Sequence, residues 1–287
     1  MTSHDDSRTV LVTGGNGRLG RLFVEDLRES GTRVVSLART RPEGAHVDDV
    51  QVDLTDAPSV RNVVVAANAG VLVHLASVLR GTDVIRDNER IDTTVAAAVM
   101  EADIDHIVLA SSGSVYGTRS MAARTEDSPL DASTPYARSK LRTESIFRDV
   151  LEYDGAGTLL ALRIFNLSGP RFPDSLVQRL IRADAKHPVS VTGADTFVRD
   201  YMYQDDLVAI LRKAIRLRRP GTQVVNVGTG YAVTTRELLT TLEIEPDAYV
   251  ETSGEVNSSW ADNSRMIQLF GVVPRPKPDR SWDSVSE

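Results

Sequence analysis

Six short apolar runs recur along the first 165 residues, at positions 9–13, 33–37, 50–52, 71–76, 106–110 and 159–164. Runs of three to six residues rich in Val, Leu and Ile suit strands that are buried on both faces. Between them the period becomes helical, most plainly over 19–30, over 88–101, and again around Lys140. Strands alternating with helices predict an α/β fold built on a parallel, doubly wound sheet with helices on both sides. After Gly169-Pro170 the segments shorten, and Pro, Gly and Asp become frequent. The pattern therefore divides there, into a domain over 1–168 and a smaller region over 169–287, some of whose segments return to the sheet. The stretch 63–76 is apolar, but Asn68, Gly70 and His74 interrupt it and it is too short to span a bilayer. The tail from Pro274, rich in Pro and charge, is predicted to fray.

The first run ends in Thr13-Gly14-Gly15-Asn16-Gly17-Arg18-Leu19-Gly20 and a helix follows at once. A strand, a glycine turn and a helix N-terminus together make the Rossmann-type seat for a dinucleotide. Gly14 permits the tight turn, Gly17 lets backbone approach the pyrophosphate, and Gly20 lets the helix pack close to the sheet. Asn16, Arg18 and Leu19 share that turn and join the candidate cofactor-binding residues. The second strand ends Leu37-Ala38-Arg39-Thr40-Arg41, without the acid that would bind a ribose 2′-hydroxyl. Arg39 can instead accept a 2′-phosphate, so NADP(H) is favoured, with NAD(H) the other possibility.

Composition removes other classes. The chain has 287 residues, 41% hydrophobic and 25% charged, as expected of a globular protein able to bury a full core. A net charge of −7 without any basic stripe argues against nucleic-acid and anionic-membrane partners. The absence of cysteine rules out disulfides, thiolate nucleophiles and Cys-ligated metals, and no metal is expected. The polar, acidic first six residues are unlike a signal peptide, so the expected location is the cytoplasm.

Tyr136 and Lys140 stand four apart on a helical segment of a chain with only four lysines. A tyrosine is a poor acid or base at neutral pH, and an ammonium one turn away stabilises the phenolate. Residues 110–117, Ala-Ser-Ser-Gly-Ser-Val-Tyr-Gly, follow a strand and supply a hydroxyl that can hold a reacting oxygen. With these residues the chain resembles the extended short-chain dehydrogenase/reductases, the nucleotide-sugar epimerase/dehydratase family typified by UDP-galactose 4-epimerase. The likeness runs through the glycine turn, Asp53-Leu54, His74-Leu75-Ala76, residues 111–117 and 136–140, 162–170, 199–207, 226–230 and 261–265. It implies that Tyr136 is the acid/base, that Lys140 binds the nicotinamide ribose and tunes Tyr136, and that Ser112 is the hydroxyl partner. It puts Asn88 on the family's helix asparagine, Asp53 and Leu54 at the adenine, and Leu75, Ala76 and Ser77 along the cofactor cleft. Asn166 and Arg199 fall where relatives contact the nucleotide diphosphate.

Departures from the family pattern narrow the expected activity. Dehydratases carry an Asp-Glu pair where this chain has Gly113 and Ser114, so dehydration is not expected. The second phosphate arginine is missing from residues 251–255, which contain Glu251 and Glu255 instead. The sequence reading is an oxidoreductase on a nucleotide-sugar, foremost the NADPH-dependent reduction of a nucleoside-diphosphate 4-keto-6-deoxyhexose. An NAD-dependent 4-epimerase of a UDP- or TDP-hexose is the alternative, and a non-catalytic nucleotide sensor the rival from another class. The resemblance further implies a homodimer through the helix near Asn88 and the helix of Lys140, with the small apolar residues 95–99 at the contact.

Overall fold

A computed structural model describes residues 8–41, 44–154 and 157–283. In chain order the first elements are β1 (Val10–Thr13), α1 (Arg18–Glu29), β2 (Val34–Ala38), β3 (Asp49–Gln51), α2 (Ala57–Ala67), β4 (Val71–His74), α3 (Val84–Val99), β5 (His106–Ser112), α4 (Pro135–Asp154) and β6 (Thr158–Ile164). The chain continues with β7 (Asn166–Ser168), α5 (Leu176–Ile181), β8 (Val189–Thr192), β9 (Phe197–Arg199), β10 (Tyr201–Tyr203), α6 (Gln204–Ala214) and β11 (Gly221–Val227). It ends with β12 (Val233–Thr234), α7 (Thr235–Thr241), β13 (Tyr249–Thr252), β14 (Asn257–Ser259) and α8 (Ser264–Phe270).

A seven-stranded sheet runs in the order β11-β6-β5-β4-β1-β2-β3, the Rossmann-type α/β arrangement expected from the sequence. The pairs from β3 through β5 are parallel. β1 and β4 are buried at all four positions, which is why both are apolar throughout rather than alternating. Strand order reverses between them, with Thr13 paired to His74 at their C-terminal ends. Crevices outside such a reversal are where open α/β sheets bind ligands.

The chain separates into two compact units. One comprises Met1–Ser111, Thr134–Leu162 and Leu211–Val224, the other Ser112–Ser133, Arg163–Ile210 and Val225–Glu287. In the first unit Leu11, Leu37, Leu72, Leu109, Phe147 and Leu159 form the fully buried centre. Val95, Ala96, Ala98 and Val99 belong to that same core. These four residues of the run 95–99 thus pack within their own unit, while Ala97 of the same run is exposed. Around them the exposed positions of α3 and α4 carry Arg90, Arg138, Arg142 and Arg148.

In the second unit β7 pairs with β10, β9 pairs with β12 and β14, and β8 pairs with β13. Its core gathers Val177, Leu180, Tyr203, Leu238 and Leu242 around Trp282. The Trp282 ring lies 5.0 Å from that of Tyr203, and its carbonyl accepts from Gln178 Nε2 at 2.8 Å. The segment expected to fray is thus anchored by one large aromatic side chain, which is 1% exposed. Among the described residues no helix is long and apolar enough to cross a membrane, and no cluster of His, Asp and Glu could hold a metal.

Candidate active site

In the first unit the glycine turn leaves β1 with Gly14 at φ +71°, a conformation that L side chains rarely adopt. A Cβ there would also lie 2.8 Å from Ala76 N. Gly17 N–H donates to Gly14 O at 2.8 Å, and Gly17 caps α1 without a side-chain bond. A Cβ on Gly20 would fall 2.1 Å from Gly14 O, so the helix approaches the turn as closely as backbone allows. Asn16 donates to Thr40 Oγ1 at 2.7 Å and accepts from Arg21 Nε at 2.6 Å, which ties the turn to the segment after β2. Arg18 is exposed at the start of α1, and Leu19 is half-buried beside it.

Arg39 is exposed just beyond β2. Asp53 Oδ1 accepts both the N–H and the hydroxyl of Thr55 at 2.9 Å. Those bonds, with the charge of Arg39 as a smaller cause, hold the Asp53 carboxyl below the usual range. Leu54 is buried, whereas Leu75, Ala76 and Ser77 are half-buried after β4.

α3 starts a turn earlier than its periodicity suggested, because Asp83 accepts from Arg86 N and caps it. Asn88 is consequently an interior helix residue and not a cap. Its Oδ1 accepts from Val78 N at 2.7 Å, and its Nδ2 donates to Val78 O at 2.9 Å and to Ser139 Oγ at 3.1 Å. It thereby fastens the loop after β4 to α4.

Tyr136, Lys140 and Glu144 follow one stripe of α4, each four residues after the last. Lys140 Nζ lies 5.7 Å from the centroid of the Tyr136 ring and donates to Ala110 O at 2.8 Å. Burial pulls the Lys140 ammonium down to about 8, against the opposing pull of Asp92 and Glu144. Glu144, also buried, accepts from Ser111 Oγ at 2.5 Å. His74 and Asp92 complete a buried polar set that residue-by-residue reading of the sequence left without a role.

In the second unit Ser112 Oγ accepts from Ser114 N at 3.2 Å and so caps the short turn Gly113–Tyr116. Tyr116 anchors this turn, its hydroxyl donating to Asn226 Oδ1 and accepting from Arg163 Nη1, each at 2.8 Å. Asn166 Nδ2 donates to Asp200 O at 2.9 Å. Arg199 stacks 3.7 Å from the Phe197 ring centroid and donates to Asn257 O at 2.8 Å and Asn257 Oδ1 at 2.6 Å. Its own burial lowers its pKa to about 10. Asp200 is not its partner, being filled by Thr229 N and Oγ1, Gly230 N and Ala261 N. The Tyr201 hydroxyl is buried with no hydrogen-bond partner among the described residues.

The model of the NAD dependent epimerase/dehydratase family matches residues 10–228. The chain belongs to this family. It is accordingly an enzyme of the short-chain dehydrogenase/reductase type. Along 96% of its length it is 30% identical to the UDP-glucose 4-epimerase of Azospirillum brasilense, of which 87% is covered. The solved UDP-glucose 4-epimerase of Bifidobacterium longum, in complex with NAD+ and UDP, superposes with a TM-score of 0.83 at 26% identity, covering 96% of each chain. MoeE5 in complex with UDP-glucose and NAD gives the same TM-score at 28% identity, over 96% of this chain and 95% of that one.

Within the family, two departures gain physical content. A Cβ on Gly113 would stand 2.9 Å from three atoms of the Phe165 ring, so the acid that dehydratases carry there has no room. Glu251, in the segment where a phosphate arginine was sought, instead pairs with Arg236 at 2.9 Å on the surface of β13.

Proposed function

We propose that the protein is a nucleotide-sugar 4-epimerase acting on a UDP-hexose. The observation that carries this reading is the Tyr136/Lys140 pair on α4, in a chain that matches UDP-glucose 4-epimerases over nearly its full length. Keto-sugar reduction, the first expectation from the sequence, is supported less well by these relatives. The glycine turn fits a dinucleotide: side-chain volume is absent at Gly14 and Gly17, and the uncapped N-terminus of α1 offers N–H groups and a positive dipole end to a pyrophosphate.

NAD, when bound, supplies the acceptor and donor of the hydride at the sugar C4. Tyr136 takes the C4 hydroxyl proton and later returns it to the same oxygen. Lys140 holds the nicotinamide ribose and favours the Tyr136 phenolate, while Ser112 holds the C4 oxygen. Asn88 keeps α4 and the loop of Ala76 and Ser77 in register. Asn166, Arg199 and the Tyr201 hydroxyl, which has no hydrogen-bond partner among the described residues, bind the diphosphate, where a guanidinium makes charge-assisted bonds.

The neighbours' NAD supports NAD as the working cofactor, whereas Ala38 and Arg39 favour NADP(H) on charge and keep reduction as the second reading. The test is UDP-glucose incubated with purified protein and no added cofactor, followed by NMR of the anomeric protons. UDP-galactose should accumulate to equilibrium. No epimer, together with stoichiometric oxidation of NADPH by a 4-keto-6-deoxy sugar nucleotide, would overturn the proposal.

A further inference from the structure

Within the first unit a cleft of about 630 Å³ opens at the N-terminal ends of the strands. It lies between the starts of β1, β4 and β5 and the connection 215–220 that leads from α6 to β11. The glycine turn leaves the other end of β1, roughly 10 Å away at about 3.3 Å per strand residue. No residue of the cleft belongs to the site described above.

Asp105, just before β5, holds two guanidinium groups there. Arg8 Nη1 donates to both of its oxygens at 2.9 Å, and Arg218 Nη1 donates to Oδ1 at 2.6 Å. Arg216 lines the same cleft and is exposed. Three guanidiniums against one carboxylate leave two positive charges in an otherwise acidic protein. Two glycines shape this corner. A Cβ on Gly70 would stand 2.7 Å from Arg8 Cδ, and one on Gly157, at φ +119°, would stand 2.8 Å from Asp105 O. Arg8 and Asp105 are each about half exposed, so their ion pair is weak and an incoming anion can compete for the same donors.

A phosphate monoester carries nearly two negative charges at neutral pH, and its three oxygens match the edges of guanidinium groups. A lone carboxylate would balance only half of the charge. The cleft is also much larger than a phosphate group, and clefts of this size hold small organic ligands. Away from the arginines it is lined by Val10, Val71, Ile215 and Pro220, which suit an apolar body.

We infer that this cleft is a second ligand site, taking a small organic phosphate monoester. Arg8, Arg216 and Arg218 bind the phosphate, the aliphatic residues take the organic body, and Asp105 is the internal competitor that the phosphate displaces.

Phenyl phosphate, titrated calorimetrically into the full chain, is the probe. Arg216→Gln should weaken its binding roughly ten- to a hundredfold, the worth of one charge-assisted bond. Asp105→Asn should tighten it, by about tenfold, because the competing charge is gone. That sign separates a ligand site from a plain ion-pair clip, whose loss gives no reason for higher affinity toward an anion. Inorganic phosphate should bind more weakly than phenyl phosphate, and NAD+ and UDP should displace neither. Absence of binding at millimolar probe overturns the proposal, as does wild-type affinity in Arg216→Gln or unimproved affinity in a folded Asp105→Asn. If Asp105→Asn does not fold, the exposed Arg216→Gln decides alone. Displacement by NAD+ or UDP would put the probe in the cofactor or diphosphate site and overturn the proposal equally. Inorganic phosphate binding as tightly as phenyl phosphate would refute the organic ligand.

Discussion

Gly15 lies so close over Ser36 on β2 that a Cβ at Gly15 would stand 2.0 Å from the Ser36 hydroxyl oxygen and 3.0 Å from its Cβ. The glycine turn is therefore held from beneath by the neighbouring strand as well as by its own backbone. Gly15→Ala should destabilise the protein by about 1–3 kcal/mol, as overpacking does, and weaken dinucleotide binding. Adding Ser36→Gly should restore both, because the nearest remaining Ser36 atom, its Cα, is 3.6 Å away. Thermal melts and cofactor titrations of the single and double variants check this, and an unchanged Gly15→Ala would rule the contact out.

Tyr136→Phe keeps the ring that faces Lys140 and removes the one proton it can exchange. Turnover of UDP-glucose should fall at least about 10²-fold, the size of a general acid/base contribution, while cofactor affinity changes little. Steady-state kinetics with fluorescence titration of the cofactor separate the two quantities. Near-normal turnover would remove Tyr136 from the mechanism.

Cofactor choice turns on the end of β2. Arg39→Ala should lower affinity for NADP+ roughly ten- to a hundredfold, the worth of one charge-assisted bond, and leave NAD+ binding nearly unchanged. Ala38→Asp should tighten NAD+ relative to NADP+ by placing a carboxylate at the ribose hydroxyl. Calorimetric titration of both cofactors gives the ratio directly. A wild type that binds NADPH more tightly than NADH by the same factor would favour reduction over epimerisation.

His106 at the start of β5 donates from Nε2 to Ala214 O at 2.8 Å, and burial lowers its pKa to about 4. Both groups belong to the first unit. The unfolded chain takes up the His106 proton below its usual pKa of about 6.5, whereas the folded chain resists until about 4. Stability should therefore decline as pH falls from about 6.5 to about 4, with no further loss from this group below that. In His106→Gln, which keeps a donor for Ala214, urea midpoints should fall less steeply across that window. Equal slopes would show that other groups dominate the acid limb.

Much of the sheet was legible because β1, β2 and β4 are buried on both faces and so spell continuous apolar runs. α2 was hidden for the same reason. Its last turn, Val63–Val65, reads on toward β4, and only Asn68 at φ +45° marks where helix ends. The glycine turn and the Tyr136/Lys140 stripe are local in sequence and could be found by spacing. His74, Asp92 and Thr143 are 18 and 51 residues apart, so their meeting belongs to the packing of α3 on β4 and α4. Trp282 shows the limit of composition, since one aromatic ring in a polar tail outweighs its neighbours once a pocket exists for it.

Six stretches of sequence alternate between the two units, three to each. Neither unit is a contiguous piece of the gene, so no single crossover in recombination can exchange one and keep the other whole. A change confined to either unit must then come from substitutions and loop insertions within its own three stretches, residue by residue, while the other unit is inherited with it.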